Sequence, residues 1–270
     1  MDLVSELQKR TIDNILLFAD VLALAGEYKM NPAQVEQAAL ENDIWPEAYL
    51  RHRGLFSSIE QHRLLGSTVA IIGCGGLGGH VFEELIRLGV GRIIVVDPDR
   101  FAAHNLNRQL LCTIDELGRL KVEAAVRRAA AVNPSVTVIP LARRFSAKVI
   151  GHLRQAQLVI DCLDSVVDRH ELADFCFTAG IPLVHGAVQG WYGQIGVQKK
   201  TSLIKKIYPH IPASDKVKET AVLSCTVATV ASLQAAEAVK LLLNLESRLT
   251  DSWKSVDLLG CDIEEIDLKM

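Results

Sequence analysis

The chain of 270 residues has no Cys-x-x-Cys pair: its six cysteines stand at 74, 112, 162, 176, 225 and 261, the nearest two being fourteen apart. That spacing excludes a zinc ribbon and a dithiol redox motif and leaves the thiols to be read as small core hydrophobes. Basic charge is not in excess either. Against 29 Lys and Arg stand 32 Asp and Glu, a formal net charge of −3, where a dedicated nucleic-acid binder carries a basic surplus. No basic stretch leads into an apolar one at the N-terminus, so no signal peptide is expected. No apolar run reaches the ~18 residues of a membrane span. Internal repeats and low-complexity tracts are missing as well. The expectation is a soluble, cytoplasmic protein with neither nucleic acid nor membrane as partner. Its length suits one substantial core with a small appendage.

Residues 1–45 predict that appendage, an all-helical extension. Leu16, Leu17, Val21, Leu22 and Leu24 fit an amphipathic helix, and Asn31-Pro32 fits an N-cap followed by proline. Three basic and nine acidic residues between Met1 and Glu47 give the wrong sign for a DNA-binding helix pair. Packing or dimerisation is the expected role.

From residue 69 onward strands and helices alternate. Val69–Ile72, Ile93–Asp97, Val136–Ile139, Leu158–Cys162 and Leu183–His185 read as short buried strands. Helices fall near 78–88, 119–132 and 166–179, which predicts a Rossmann-like, mostly parallel α/β sheet covered on both faces. Beyond Gly186 the sequence predicts a strand over Gly193–Gln198, a loop over Lys199–Thr220 and a long helix over Ala221–Leu243. Ser255–Leu259 and Ile263–Leu268 predict a terminal antiparallel pair.

The chemistry concentrates between Val69 and Lys121. Gly73-Cys74-Gly75-Gly76-Leu77-Gly78 joins the first strand to its helix: Gly73 permits a tight turn, Gly75 lets a phosphate approach the backbone, and Gly78 allows helix and strand to pack closely. The helix N-terminus then presents its N–H groups to an anion. Asp97, closing the next strand, suits ribose hydroxyls. Up to this point a dinucleotide fits as well as ATP. Asn105-Leu106-Asn107-Arg108-Gln109 and Lys121 separate the two, because two fixed cations at the carboxyl end of the sheet suit a triphosphate. Farther on, Asp161-Cys162-Leu163-Asp164 closes a strand. Asp161 reads as a loop or helix-end hydrogen-bonder, and Asp164 as a carboxylate placed to hold Mg²⁺.

These segments, with Tyr49-Leu50-Arg51, Asp97-Pro98-Asp99 and Ser232–Ala238, resemble the HesA/MoeB/ThiF family, bacterial relatives of ubiquitin-activating enzymes. The resemblance spans roughly residues 49 to 268 and sets an adenylation domain at 46–270 beside the extension. It implies adenylation, with MgATP, of the C-terminal glycine of a small ubiquitin-like sulfur-carrier protein ending in Gly-Gly. By the same resemblance Gly73, Gly75, Gly76, Gly78, Asp97, Asp99 and Gln109 line the nucleotide site. Asn105, Arg108 and Lys121 contact phosphates, and Asp164 holds Mg²⁺. Arg51 matches the arginine that family members insert into the neighbouring subunit's site, which implies a homodimer.

Two departures from the family pattern matter. The paired Cys-x-x-Cys of many members is missing, so no zinc is expected. No cysteine falls between Lys199 and Thr220, where some members form a covalent link to the carrier. Cys225 lies just beyond, and a buried structural role is expected for it. Lys199, Lys200, Lys205, Lys206, Lys216 and Lys218 face only Asp215 and Glu219 in that loop, which suggests a basic cover that steers an acidic carrier. Alternatives stay open: a peptide or tRNA-linked carboxylate as acceptor, or a nucleotide-binding scaffold without turnover. Nothing in the chain resembles a hydride-transfer site.

Overall fold

The computed structural model of the chain describes residues 2–211 and 221–266. Its N-terminal part runs α1 (Leu3–Arg10), β1 (Ile15–Leu16), α2 (Phe18–Tyr28), α3 (Pro32–Glu41) and β2 (Trp45–Pro46). Asn31 caps α3 as its sequence predicts. Its side chain accepts from the Gln34 N–H at 2.9 Å, while the Gln34 side chain accepts from the Asn31 N–H at 3.0 Å. The all-helical expectation needs correcting, however. Asp13 and Asn14 take positive φ and turn the chain, so Ile15 and Leu16 extend and pair in parallel with Trp45 and Pro46. Leu16 therefore precedes the helix, and Leu17 and Leu22 are exposed. Leu7, Leu16, Val21, Leu24, Val35, Ala39 and Ile44 form a separate apolar cluster inside this bundle.

A 3-10 helix (Glu47–His52) leads into α4 (Ser58–Leu65) and then the main sheet. There follow β3 (Thr68–Ile72), α5 (Gly76–Leu88), β4 (Arg92–Val96), α6 (Lys121–Val132) and β5 (Thr137–Leu141). Next come α7 (Ala147–Leu153), β6 (Leu158–Asp161), α8 (Val166–Ala179), β7 (Leu183–Gln189) and β8 (Tyr192–Gln198). The chain closes with α9 (Leu203–Ile207), α10 (Ser224–Leu243), β9 (Trp253–Asp257) and β10 (Asp262–Glu265).

The eight strands lie in the order β10-β9-β8-β7-β6-β3-β4-β5. From β5 to β7 all neighbours are parallel; β8, β9 and β10 are antiparallel. This is the Rossmann-like sheet with antiparallel C-terminal strands that the pattern predicts. Val69, Ile71, Phe82, Leu85 and Val230 build the core on one face. Ala70, Ile72, Val149, Leu153 and Leu172 build it on the other. Strands buried on both faces read as unbroken apolar runs for this reason.

Helices α7 and α9 appear where no element was expected. Both are short, and neither start is capped by a side chain, so only packing stabilises them. Helix α10 is long and apolar enough to cross a membrane by length and composition. Its Val227, Val230, Ala231, Ala235 and Ala238 are instead buried in the core. Cys74, Cys112 and Cys176 are buried as expected and Cys162 partly so, but Cys225 and Cys261 are exposed and are not core residues. Asp215, Lys216, Lys218 and Glu219, and the end of the expected terminal strand at 267–268, lie outside the described residues.

The chain steps outward from β3 to β4 and β5, then returns to β6 and β7 on the other side. The connections leaving β3 and β6 therefore diverge, and open sheets bind ligands in the crevice this creates.

Candidate active site

The glycine turn crosses that crevice. Gly73 has φ +93°, and a Cβ there would lie 2.6 Å from the Cys162 carbonyl oxygen, the first residue after β6. At Gly78 a Cβ would fall 1.8 Å from the Gly73 carbonyl oxygen. Both positions need glycine, one for its torsion and the other for the close approach of helix to turn. Gly75 and Gly76 begin α5, whose N-terminus has no side-chain cap. Its first N–H groups are thus directed into the crevice.

Asp97 ties the next strand to this turn. One carboxylate oxygen accepts from the Cys74 N–H at 2.7 Å and the other from the Asp99 N–H at 2.8 Å. Burial pushes the Asp97 carboxyl up, partly offset by Lys121 and these two N–H donors. Each oxygen retains a lone pair for a ligand hydroxyl. Lys121, at the start of α6 and only 6% exposed, lies 3.0 Å from the Asp99 carboxylate and 3.9 Å from Asp97.

The 105–109 segment packs against the same turn. Asn105 is buried and its Oδ1 accepts from the Ala102 N–H at 3.0 Å, so its amide nitrogen is the end left for a ligand. The Arg108 carbonyl lies 3.8 Å from where a Gly76 Cβ would be. Its guanidinium is held by the His104 carbonyl at 2.9 Å and Asn107 Oδ1 at 2.8 Å. Gln109 is 7% exposed, its amide lies 3.5 Å from a Cβ built at Gly75, and its Oε1 has no hydrogen-bond partner. A buried acceptor left unpaired beside an uncapped helix end is an arrangement that a ligand completes.

Asp164 lies two residues past Cys162 on the opposite lip, exposed to solvent. Among the described residues no group of three His, Cys, Asp or Glu side chains forms a metal cage. A single carboxylate fits Mg²⁺ shared with phosphate oxygens, since that ion usually keeps few protein ligands. Arg51 is not brought to this crevice. Its 3-10 helix packs at the C-terminal end of α5, where Tyr49 meets Gly89, about 20 Å along the helix from the glycine turn.

A buried charge cluster that sequence reasoning missed supports the Asp164 loop. Asp161 and His185 are register partners on β6 and β7. Asp161 Oδ2 lies 2.8 Å from Arg169 Nη1 and 2.7 Å from His185 Nδ1. Burial alone would raise the Asp161 carboxyl, but the Arg169 guanidinium and His185 outweigh it and hold it below the usual range. Burial and Arg169 push the His185 imidazole down, and its Nδ1 lies within hydrogen-bond distance of both the Asp161 carboxylate at 2.7 Å and Arg169 Nη1 at 2.8 Å. Arg169 also donates to the Leu163 carbonyl in the loop after β6 and to the Gly186 carbonyl of β7. Gln234 of α10 donates to the Asp161 carbonyl at 2.9 Å. Asp161 is thus more than a loop hydrogen-bonder. Its partners join through strand pairing and one face of α8, which linear spacing shows only as an arginine eight residues on.

The lysines of the expected basic cover separate in space. Lys199 and Lys200 follow β8, whose last residue pairs with the start of β7, at the strand ends away from the crevice, and their N–H groups are bound to Asp251. Lys205 and Lys206 lie on α9, just before Tyr208, whose hydroxyl reaches His185 Nε2 at 3.4 Å.

An open, mostly parallel sheet with a glycine turn, an uncapped helix N-terminus and a buried lysine at its switch point defines a nucleotide-binding α/β protein of Rossmann type. The profile of the ThiF family matches residues 49–270, and the chain belongs to that family. It is 37% identical over 194 residues to the SAMP-activating enzyme E1 of Haloferax volcanii, covering 68% of this chain and 70% of that protein. To the sulfur carrier protein adenylyltransferase of Thermus thermophilus it is 33% identical over 220 residues, 77% of this chain and 81% of the relative. Among solved structures, E. coli MccB with ATP aligns at TM-score 0.71 and 19% identity, covering 92% of this chain and 82% of MccB. That likeness shows the fold.

Proposed function

We infer that the protein is an ATP-dependent adenylyltransferase that activates the C-terminal glycine of a ubiquitin-like sulfur carrier ending in Gly-Gly. The names of its relatives support the activity and the class of acceptor. The observation that carries the nucleotide site is Gln109 Oε1, buried and unpartnered beside the open N-terminus of α5.

The carrier's terminal carboxylate is already a nucleophile at neutral pH, so no general base is required. One of its oxygens bonds to the α-phosphorus of ATP as the bond to pyrophosphate breaks, leaving an acyl-adenylate. The obstacle is charge, since a carboxylate approaches a polyphosphate. The N–H groups of Gly75 and Gly76, with Asn105, Arg108 and Lys121, offset that charge before the reaction begins. Asp97, Asp99 and Gln109 hold the nucleoside. Removing one such preorganised donor costs ~3 kcal/mol of barrier. Asp164 would hold Mg²⁺, which supplies further neutralisation of the phosphates when bound. Arg51 completes the site of a second copy, which makes the active species a homodimer. The cytoplasm is the expected compartment.

The test is ATP–pyrophosphate exchange that depends on a carrier of the ThiS or MoaD type ending in Gly-Gly. Arg108→Ala and Asp164→Asn should abolish exchange while the fold persists by circular dichroism. Exchange only with a peptide or tRNA-linked carboxylate, or ATP binding with no exchange, would contradict the assignment.

A further inference from the structure

The N-terminal bundle precedes the 49–270 span that defines the family, and the chemistry proposed above uses none of its residues. Yet the bundle grips the short segment that bears Arg51. Glu47 Oε2 accepts from the Phe18 N–H at 2.9 Å, which caps α2. The Trp45 N–H donates to the Asn14 carbonyl at 2.7 Å, continuing the β1–β2 pairing. Arg53 Nη1 reaches the Asp13 carbonyl at 3.4 Å. The Tyr49 hydroxyl donates to Glu36 Oε2 on α3 at 3.3 Å.

The adenylation domain holds the segment's other side. Asn133 Nδ2 donates to the Tyr49 hydroxyl at 2.9 Å and to the Ile86 carbonyl at 2.8 Å. The Tyr49 ring fills the space beside Gly89, and His52 Nδ1 contacts Gln61 Oε1 at 2.9 Å. Leu40, Trp45, Tyr49 and Leu65 form one apolar cluster across the join. Tyr49 is fully buried, whereas Arg51, two residues on, is exposed. Among the described residues the Arg51 side chain has no hydrogen-bond or ion-pair partner. The backbone is clamped from two directions, and the cation it carries is left unspent.

Exposed aliphatic side chains follow Arg51 closely in the chain. Leu55 is 81% exposed, Ile59 70%, and Ile12, next to the Asp13 that Arg53 contacts, 70%. Exposed aliphatic side chains grouped in this way suit a surface that another protein covers. Resting on the assignment of Arg51 to a second copy's site, we propose that residues 3–46 are a brace that fixes the Glu47–His52 helix so that Arg51 projects from a rigid edge into its partner. Tyr49 is the positioning residue that couples the brace to the adenylation domain. Preorganisation is the physical gain, since a loosely tethered arginine must be ordered at each turnover.

The experiment uses full-length protein and pyrophosphate exchange with a ThiS-type carrier. Arg51→Ala should leave a low but measurable rate and Arg108→Ala none, and mixing them should restore roughly a quarter of the wild-type rate, because half of randomly formed pairs carry one complete site. Tyr49→Phe keeps the ring but removes the hydroxyl shared by Glu36 and Asn133, and Glu47→Gln loosens the cap on α2. Each should lower kcat about tenfold with KM for ATP unchanged, as expected for displacing a positioned group. Neither should lower kcat further in an Arg51→Ala background. Recovery on mixing, together with wild-type kcat in both variants or a further loss in the Arg51→Ala background, overturns the brace alone. No recovery on mixing overturns the assignment of Arg51, and the brace with it.

Discussion

At the N-terminal end of α5 the glycine turn leaves backbone N–H groups uncapped and Gln109 Oε1 without a partner, with Lys121 against a buried aspartate. At its C-terminal end Gly89 closes the helix at φ +80°, its Cβ space taken by the Tyr49 ring at 2.7 Å and the Gln61 amide at 2.9 Å. One end holds its polar groups ready for something that is not protein. The other is filled by protein side chains, although Glu36 Oε1 beside Tyr49 is also buried without a hydrogen-bond partner. Glycine is needed at both, so its presence alone does not distinguish a binding turn from a packed cap. What distinguishes them is whether the space beside the glycine is open, as at Gly75, or filled by side chains, as at Gly89.

Lys121→Ala should give the largest effect on this contrast. Exchange should fall about a hundredfold at saturating ATP, the loss expected for one preorganised donor. The fold should also weaken, because Asp97 is left buried without its cation. Exchange within threefold of wild type would remove Lys121 from the phosphate site.

Alanine at the two ends should separate binding from stability. Gly89→Ala combines a left-handed torsion with a clash against Tyr49, and should cost about 3 kcal/mol, read as a fall in Tm, with KM for ATP unchanged. Gly75→Ala meets only the Gln109 amide at 3.5 Å, so it should cost less stability and raise KM for ATP about tenfold by blocking phosphate approach. Equal effects from the two variants would erase the distinction between the ends.

The join at the closed end is also sensitive to pH. Burial pushes the Glu36 carboxyl up to about 7, partly offset by the Ser135 and Tyr49 hydroxyls. Burial likewise keeps the Tyr49 phenol neutral. A folded acid with a raised value stabilises the protein fully below its unfolded value of 4.5, and that contribution is lost as pH climbs to about 7. Glu36→Gln should therefore stabilise the protein by about 2–3 kcal/mol at pH 8 and change little at pH 4. A pH-independent difference in chemical denaturation would show that Glu36 does not titrate in this window.

The smallest effect is expected on the outer surface. Reversing Lys205 and Lys206 to glutamate should slow carrier association a few-fold at low salt and not at high salt. The Lys205–Asp174 pair it breaks is half exposed and contributes little to stability. Unchanged association at low salt would leave these lysines without a steering role.

The alternating apolar runs predicted the parallel strands and their helices because strands buried on both faces leave a signature in linear order. The nucleotide turn, Asp97, Asn105–Gln109 and Lys121 were legible for the same reason, each following a strand closely. The Asp161–Arg169–His185 cluster was not. It forms because β6 and β7 pair in one register and α8 turns Arg169 back onto that edge, and neither fact is visible in spacing. Short α7 and α9, and the β1–β2 pair, escaped because they depend on packing rather than on propensity. Cys225 was expected in the core because cysteines are most often buried; it sits instead on the exposed first turn of α10.

By itself the sequence determined the class of sheet, the place of the nucleotide turn and the kind of charge around it, all local consequences of side-chain periodicity and of residues next to strand ends. Only the tertiary structure decided which groups remain unsatisfied. It left Gln109 without a partner in the crevice, and it set Lys199 and Lys200 against Asp251 but Lys205 against Asp174. It also set Arg51 about one helix length from the site in its own chain, on an edge held by the N-terminal bundle. Hydrogen bonds and burial are settled between segments far apart in sequence, so their unmet remainder is a property of the fold.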